Sequence, residues 1–138
     1  MNSNFVADFV NNLIKKTLSG DVIWNPLAQF SKIYRISLSD LFSQDEFHTI
    51  CTYESYYCRA GRGTIFLVSE RDESGRDGEI SEGYNLYIQP NSEQSISSVV
   101  FDTSELYRLK NAIELKSDLT EDVVDFMKSI METPEGLG

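Results

Sequence analysis

Thr49–Glu70 reads TICTYESYYCRAGRGTIFLVSE, and the fold turns on it. TICTYESYY is rich in β-branched and aromatic residues, AGRG is glycine punctuation, and TIFLVSE opens on an apolar, β-branched run. Two such runs joined by Gly61-Arg62 read as a β-hairpin. With a two-residue loop, Tyr57 faces Phe66 and Ser55 faces Val68. Tyr56, Cys58, Ile65 and Leu67 then share the other side. Both faces are fairly apolar, so the hairpin belongs near the middle of a sheet or under cover on both sides.

Downstream, Ser69–Gly83 (SERDESGRDGEISEG) holds six carboxylates, two arginines and three glycines, and almost nothing suited to a core. No calcium-loop frame fits it. Starting at Asp72, the fifth and sixth positions are Arg76 and Asp77; starting at Glu73, the third is Gly75 and the twelfth Tyr84. It reads as a solvated connection. YNLYIQPN then alternates Tyr84, Leu86 and Ile88 with Asn85, Tyr87 and Gln89, which predicts a strand with one face inward and one outward. A fourth strand is expected around Ile96–Phe101.

Upstream, Phe5/Val6, Phe9/Val10 and Leu13/Ile14 recur every four residues and Leu18 continues the row, which predicts a helix stopped by Gly20. Trp24 reads as a core anchor. Asn25-Pro26 reads as a cap and first turn of a short helix near Pro26–Phe30. In the weakly patterned 31–47 segment, IYRIS suggests a short strand and LSDLFSQDEF one or two helical turns. Two helices close the chain. Asp102 with Glu105 resembles a capping pair ahead of Leu106, Leu109 and Ile113. Thr120 reads as a cap, with Leu119 stapled onto Val124, ahead of a face made by Val123, Phe126, Met127 and Ile130. The expectation is α+β: an antiparallel sheet of about four strands packed by an N-terminal helix and a C-terminal helix pair. It forms a single domain over 1–133, with a flexible tail over 134–138.

Charge narrows the function classes. Asp plus Glu number 22 against 12 Lys plus Arg, a formal net of −10. Direct binding to nucleic acid or anionic lipid needs the opposite sign, whereas a basic protein partner fits. No stretch has the continuous apolar length of a membrane span or signal peptide, and two cysteines make no disulfide framework, so a cytoplasmic protein is expected.

His48, Cys51 and Cys58 are the only set with metal-ligand chemistry. Regular strand geometry sends His48 and Cys51 to opposite faces, and likewise Cys51 and Cys58. No catalytic, cofactor or metal residue is therefore expected. Glu54 beside Tyr53 and Tyr56 reads as a rim carboxylate rather than a base. GRGTIF lacks the strand–turn–helix setting of a phosphate loop. Tyrosine is enriched at protein interfaces, and five of the seven tyrosines fall on predicted strands. The candidate interaction surface is Asn85, Tyr87 and Gln89 together with the acidic Asp72, Glu73, Asp77 and Glu79.

LIKKTLSGDVIW, SYY before a hairpin with GTIFLV, LYIQP and LYRLKNAIE together resemble a group of small bacterial proteins of Gram-positive genomes and their mobile elements, for which no activity is assigned. The resemblance implies a bacterial, cytoplasmic protein and carries over no functional residue. Three functional expectations follow. The first is a non-enzymatic, acidic interaction or regulatory protein of the immunity or antitoxin type. The second is an acidic mimic of nucleic acid seated in a basic groove. The third is a ligand-binding or enzymatic domain with a pocket beside the sheet, lined by Trp24 and tyrosines.

Overall fold

The four-residue apolar repeat near the start builds α1 (Ser3–Ser19), and Gly20 ends it with a φ of +85°. Val6, Val10, Leu13 and Ile14 are buried, whereas Phe5 and Leu18 stay exposed, so the packed stripe is narrower than the repeat. Thr17 joins that stripe as a polar member. Its hydroxyl donates to the Leu13 carbonyl at 2.8 Å and accepts from the Trp24 indole N–H at 2.9 Å. Trp24 is thereby tied down at the turn that leaves the helix. The computed structural model describes residues 3–42, 48–73, 75–118 and 121–132. The expected cap at Thr120, the staple at Leu119, the tail over 134–138 and the end of LSDLFSQDEF lie outside the described residues.

A helical turn does begin near Pro26–Phe30, but Pro26 rather than Asn25 stands at its N-cap. Asn25–Pro26 itself forms a two-residue strand, β1, whose Asn25 pairs with Tyr57 and whose Pro26 pairs with Tyr56. Proline suits this place because an edge strand can spare the missing N–H. A single 3₁₀ turn over Leu27–Gln29 leads into α2 (Phe30–Tyr34), and α3 (Leu38–Leu41) follows. IYRIS is therefore not extended: its first half ends α2, and Arg35 takes a left-handed conformation.

β2 (His48–Ala60) and β3 (Gly63–Asp72) form the expected hairpin around Gly61-Arg62, with Tyr57 opposite Phe66. β4 (Ser81–Gln89) and β5 (Ser97–Phe101) complete an antiparallel sheet in chain order, β1 through β5. The sheet has five strands rather than four because β1 is too short to carry a pattern. Ser69–Asp72 and Ser81–Gly83 extend the two strands, and the connection expected over Ser69–Gly83 is confined to 73–80.

Each sheet face has its own core. On one, α1 and α4 (Ser104–Asp118) bury Leu106, Leu109, Ala112 and Ile113 against Cys58, Ile65, Leu67, Tyr84 and Leu86. On the other, Leu27, Phe30 and Phe42 cover Tyr57, Phe66 and Val68. Phe30 and Phe42 each meet Phe66 edge to face at 5.3 Å, and Phe42 meets Tyr87 at 5.0 Å. Asp102 is not the cap of α4. It sits at φ +56°, and its carboxylate accepts from the Tyr107 hydroxyl at 2.6 Å. α5 (Glu121–Glu132) closes the described chain.

Candidate functional site

The second face carries the densest polar cluster, centred on Glu70. Alternation along β3 puts Phe66, Val68 and Glu70 on one side, so the strand that carries the aromatic core also carries a carboxylate, only 8% exposed. Its two oxygens are engaged from the two neighbouring strands, β2 and β4. Tyr87 donates its hydroxyl to Oε1. Asn85 Nδ2 lies 3.4 Å from Oε2, and His48 Nε2 lies 3.3 Å from it. Asn85 is held in turn by the Ser98 hydroxyl, which donates to its Oδ1 at 2.7 Å. A cavity of about 220 Å³ opens beside the cluster, between His48, Glu70, Asp72, Ser81, Asn85 and Phe101.

The chemistry of this cluster is that of a satisfied buried anion. A carboxylate removed from water needs donors on its lone pairs, and these neighbours supply them. Burial first, and then the bond to Glu70, raise the Tyr87 hydroxyl above its ordinary pKa, so at neutral pH it is a donor and not a base. The Ser98 hydroxyl spends its proton on Asn85. The cluster closes the polar end of the aromatic core, where Phe42 packs on Tyr87.

The metal-like trio is arranged differently from the regular-strand expectation. β2 pairs Cys51 with Ser69 but Tyr56 with Leu67, so β2 spends five residues where β3 spends two. This wide bulge returns Cys51 to the side shared by Cys58, the α1/α4 side, while His48 stays with Glu70 on the other. Ser55 consequently does not face Val68. Its buried hydroxyl donates to the Cys51 carbonyl at 2.6 Å and accepts from the Ser69 N–H at 2.8 Å, replacing the ladder bonds the bulge removes. Tyr84 adds a second tie, donating to the Glu54 carbonyl at 3.0 Å. Among the described residues no group of three or more His, Cys, Asp or Glu side chains is placed to hold a metal ion. Cys58 is fully buried, which pushes its thiol up to about 12, while Cys51 is exposed.

The candidate interaction residues are split. Asn85, Tyr87 and Gln89 do lie on the face opposite Leu86, but Asn85 and Gln89 are buried and Tyr87 is half-buried. The outward face expected of β4 is covered, because the segment after β1 crosses it. Glu73, Asp77 and Glu79 are exposed, and Asp72 is half-buried at the end of β3. Asp72 pairs with Ser81, eight residues from Gln89, or about 27 Å along a strand, so one small surface cannot contain all seven. Trp24 lines a crevice of about 150 Å³ with Thr17, Val22 and Ile113, and no tyrosine takes part.

Sequence reading placed an apolar face on α5 but had no means of seeing whether anything covers it. Val123, Phe126, Met127, Ile130 and Met131 are between 39% and 81% exposed, against the buried stripes of α1 and α4. They share one side of the helix, with Asp125, Lys128 and Glu132 on the other and Asp122 nearer the boundary. No described helix is long and apolar enough to cross a membrane. No family model, curated protein or solved structure matches this chain.

Proposed function

We propose that the protein is a non-enzymatic interaction module whose contact element is α5, and that its partner is a protein with an apolar patch rimmed by Lys or Arg. The observation that carries this reading is the exposed apolar face of α5, centred on Phe126, Met127, Ile130 and Met131, among described residues whose other long helices bury most of theirs. Covering the area the five side chains of that face still expose is worth about 6 kcal/mol gross, at roughly 1.5–3 kcal/mol for each side chain fully buried. Association itself costs about 4–15 kcal/mol, so apolar contact alone gives weak binding and the partner must add charge complementarity. The acidic back of α5 and the net charge of −10 set the sign of that charge. The same sign argues against an anionic membrane surface as the partner. A regulatory or neutralising role toward a basic protein, of the immunity or antitoxin type, fits this chemistry.

Mimicry of nucleic acid is less well supported. It asks for carboxylates arrayed on one surface, yet Asp72, Glu79, Glu114, Asp118 and Asp125 fall on β3, the β3–β4 connection, α4 and α5, and Glu114 is paired with Lys110 at 2.8 Å.

The test is differential capture from a bacterial lysate, with the immobilised chain as wild type, Phe126→Asp and Ile130→Asp. Support is a protein held by wild type, released by rising salt and lost with both variants at unchanged melting temperature. Identical capture profiles for all three chains refute the reading.

A further inference from the structure

A second exposed feature lies at the β5 end of the sheet order. β5 is an edge strand, and its five residues, Ser97 to Phe101, carry no charge and no proline. The usual guards of an open edge are therefore missing, apart from one irregularity. β4 pairs Leu86 with Val100 and Tyr87 with Ser98, so Val99 is an extra residue. The bulge turns Val99 to the same side as Val100, and both pack against the α1/α4 core. A groove of about 530 Å³ runs there between β5 and the first half of α1, with Val6, Ala7, Val10, Val99 and Val100 as apolar walls. Glu105, at the start of α4, is the one charged side chain lining it among the described residues.

We infer that this groove binds an extended peptide segment of a partner protein, which pairs with the open side of β5 as a sixth strand, sets alternate apolar side chains between Val6, Val10 and Val100, and places a Lys or Arg beside Glu105. An edge strand supplies backbone donors and acceptors on its outer side, and a flanking apolar trough supplies selectivity for every second side chain. The bulge interrupts regular pairing within a strand about 17 Å long, so backbone bonds are few and the trough contributes the larger share. That favours β-branched residues, which fit a pleated half-buried surface, over long polar ones. Charge selects the flanks: Glu105 lines the groove and the whole chain is strongly negative. A second copy of the chain is the poorer occupant. Two chains of −10 repel, and a five-residue bulged edge falls well short of the roughly 1,200–2,000 Å² of a stable interface. This surface is separate from α5, so the two readings stand or fall independently.

The experiment is an amide NMR titration of the full chain with the capped heptapeptide Lys-Val-Thr-Val-Thr-Val-Lys. Expected are saturable shifts confined to Ser97–Phe101 and Asn4–Val10, with binding at least tenfold weaker when both lysines are replaced by glutamate. N-methylation of the central residues weakens binding as strongly, because it removes the strand donors. Val99→Glu abolishes the shifts. Glu105→Lys, at a solvent-accessible site, leaves the spectrum folded and reverses the preference for the flanking charge. Any one of four results overturns the inference: no saturable shift at millimolar peptide, shifts centred elsewhere, indifference to N-methylation, or an unchanged charge preference in Glu105→Lys. Shifts at Ser97–Phe101 that follow protein concentration without peptide also overturn it, by assigning the edge to a second copy.

Discussion

Replacing Ser55 by alanine removes one hydroxyl from a fully buried position and tests how the β2 bulge is held. In the native chain the Ser55 hydroxyl accepts from the Ser69 N–H at 2.8 Å and donates to the Cys51 carbonyl at 2.6 Å. Alanine leaves both backbone groups without that partner, and water reaches them unequally. Ser69 sits between β2 and β4, so its N–H bears most of the penalty, about 1–3 kcal/mol for a buried donor left unmade. Cys51 is exposed, and its carbonyl regains water at a cost below about 1 kcal/mol. The sum is about 2–3 kcal/mol. For a chain of this size each kcal/mol moves the melting temperature by about 4 °C, so a fall of about 8–12 °C is expected. In urea the midpoint drops by about 1–1.5 M at unchanged slope, taking a slope near 2 kcal/mol/M. Tyr84→Phe, which frees only the more exposed Glu54 carbonyl, loses less. A Ser55→Ala chain within 0.5 kcal/mol of wild type refutes the clamp, because the bulge would then hold without it.

Glycine substitutions separate space from backbone freedom. A β-carbon on Gly63 lies 2.6 Å from the Gln89 carbonyl oxygen and 2.8 Å from that of Pro90, so Gly63→Ala forces β3 from β4 and costs about 2–3 kcal/mol in urea unfolding. Gly61 at φ +61° has open space around it, and Gly61→Asn, which tolerates that conformation, loses under about 1 kcal/mol; equal losses at the two sites contradict this packing. Alkaline titration tests burial. Burial pushes the Cys58 thiol up to about 12 and raises the Tyr84 and Tyr87 hydroxyls, so each keeps its proton longer in the folded chain than in the unfolded one. Their contribution is complete below about pH 9 and falls as pH rises toward 12, by up to about 1.4 kcal/mol per pH unit for each group titrating in the unfolded state alone. A urea midpoint that stays level from pH 8 to 11 contradicts it. A thiol reagent should label exposed Cys51 in the native protein and reach Cys58 only on unfolding, with the two rates read by mass spectrometry.

The amino-acid sequence by itself determined the elements whose signal is local. The four-residue repeat of α1, the glycine-punctuated hairpin with Tyr57 opposite Phe66, and the stripe of Leu106, Leu109 and Ile113 all follow from periodicities within one segment. The amphipathic face of α5 was legible for the same reason. What tertiary structure decided depends on partners far along the chain. Asn85 and Gln89 alternate as surface residues do, but Phe42 packs on Tyr87 between them, Gln89 donates to the Gln94 carbonyl, and Asn85 bonds to Glu70 fifteen positions away. Glu70 stands in an acidic run that reads as solvent-exposed, and its carboxylate is buried where Tyr87 and Asn85 of β4 donate to it and the His48 imidazole of β2 meets it. The bulge at Cys51–Tyr56 carries no glycine or proline to announce it; its signature is a hydroxyl whose partner lies fourteen residues on. Periodicity records which side of an element is apolar, and only the packed chain settles what comes to cover each side, because that is a property of pairs of segments rather than of one.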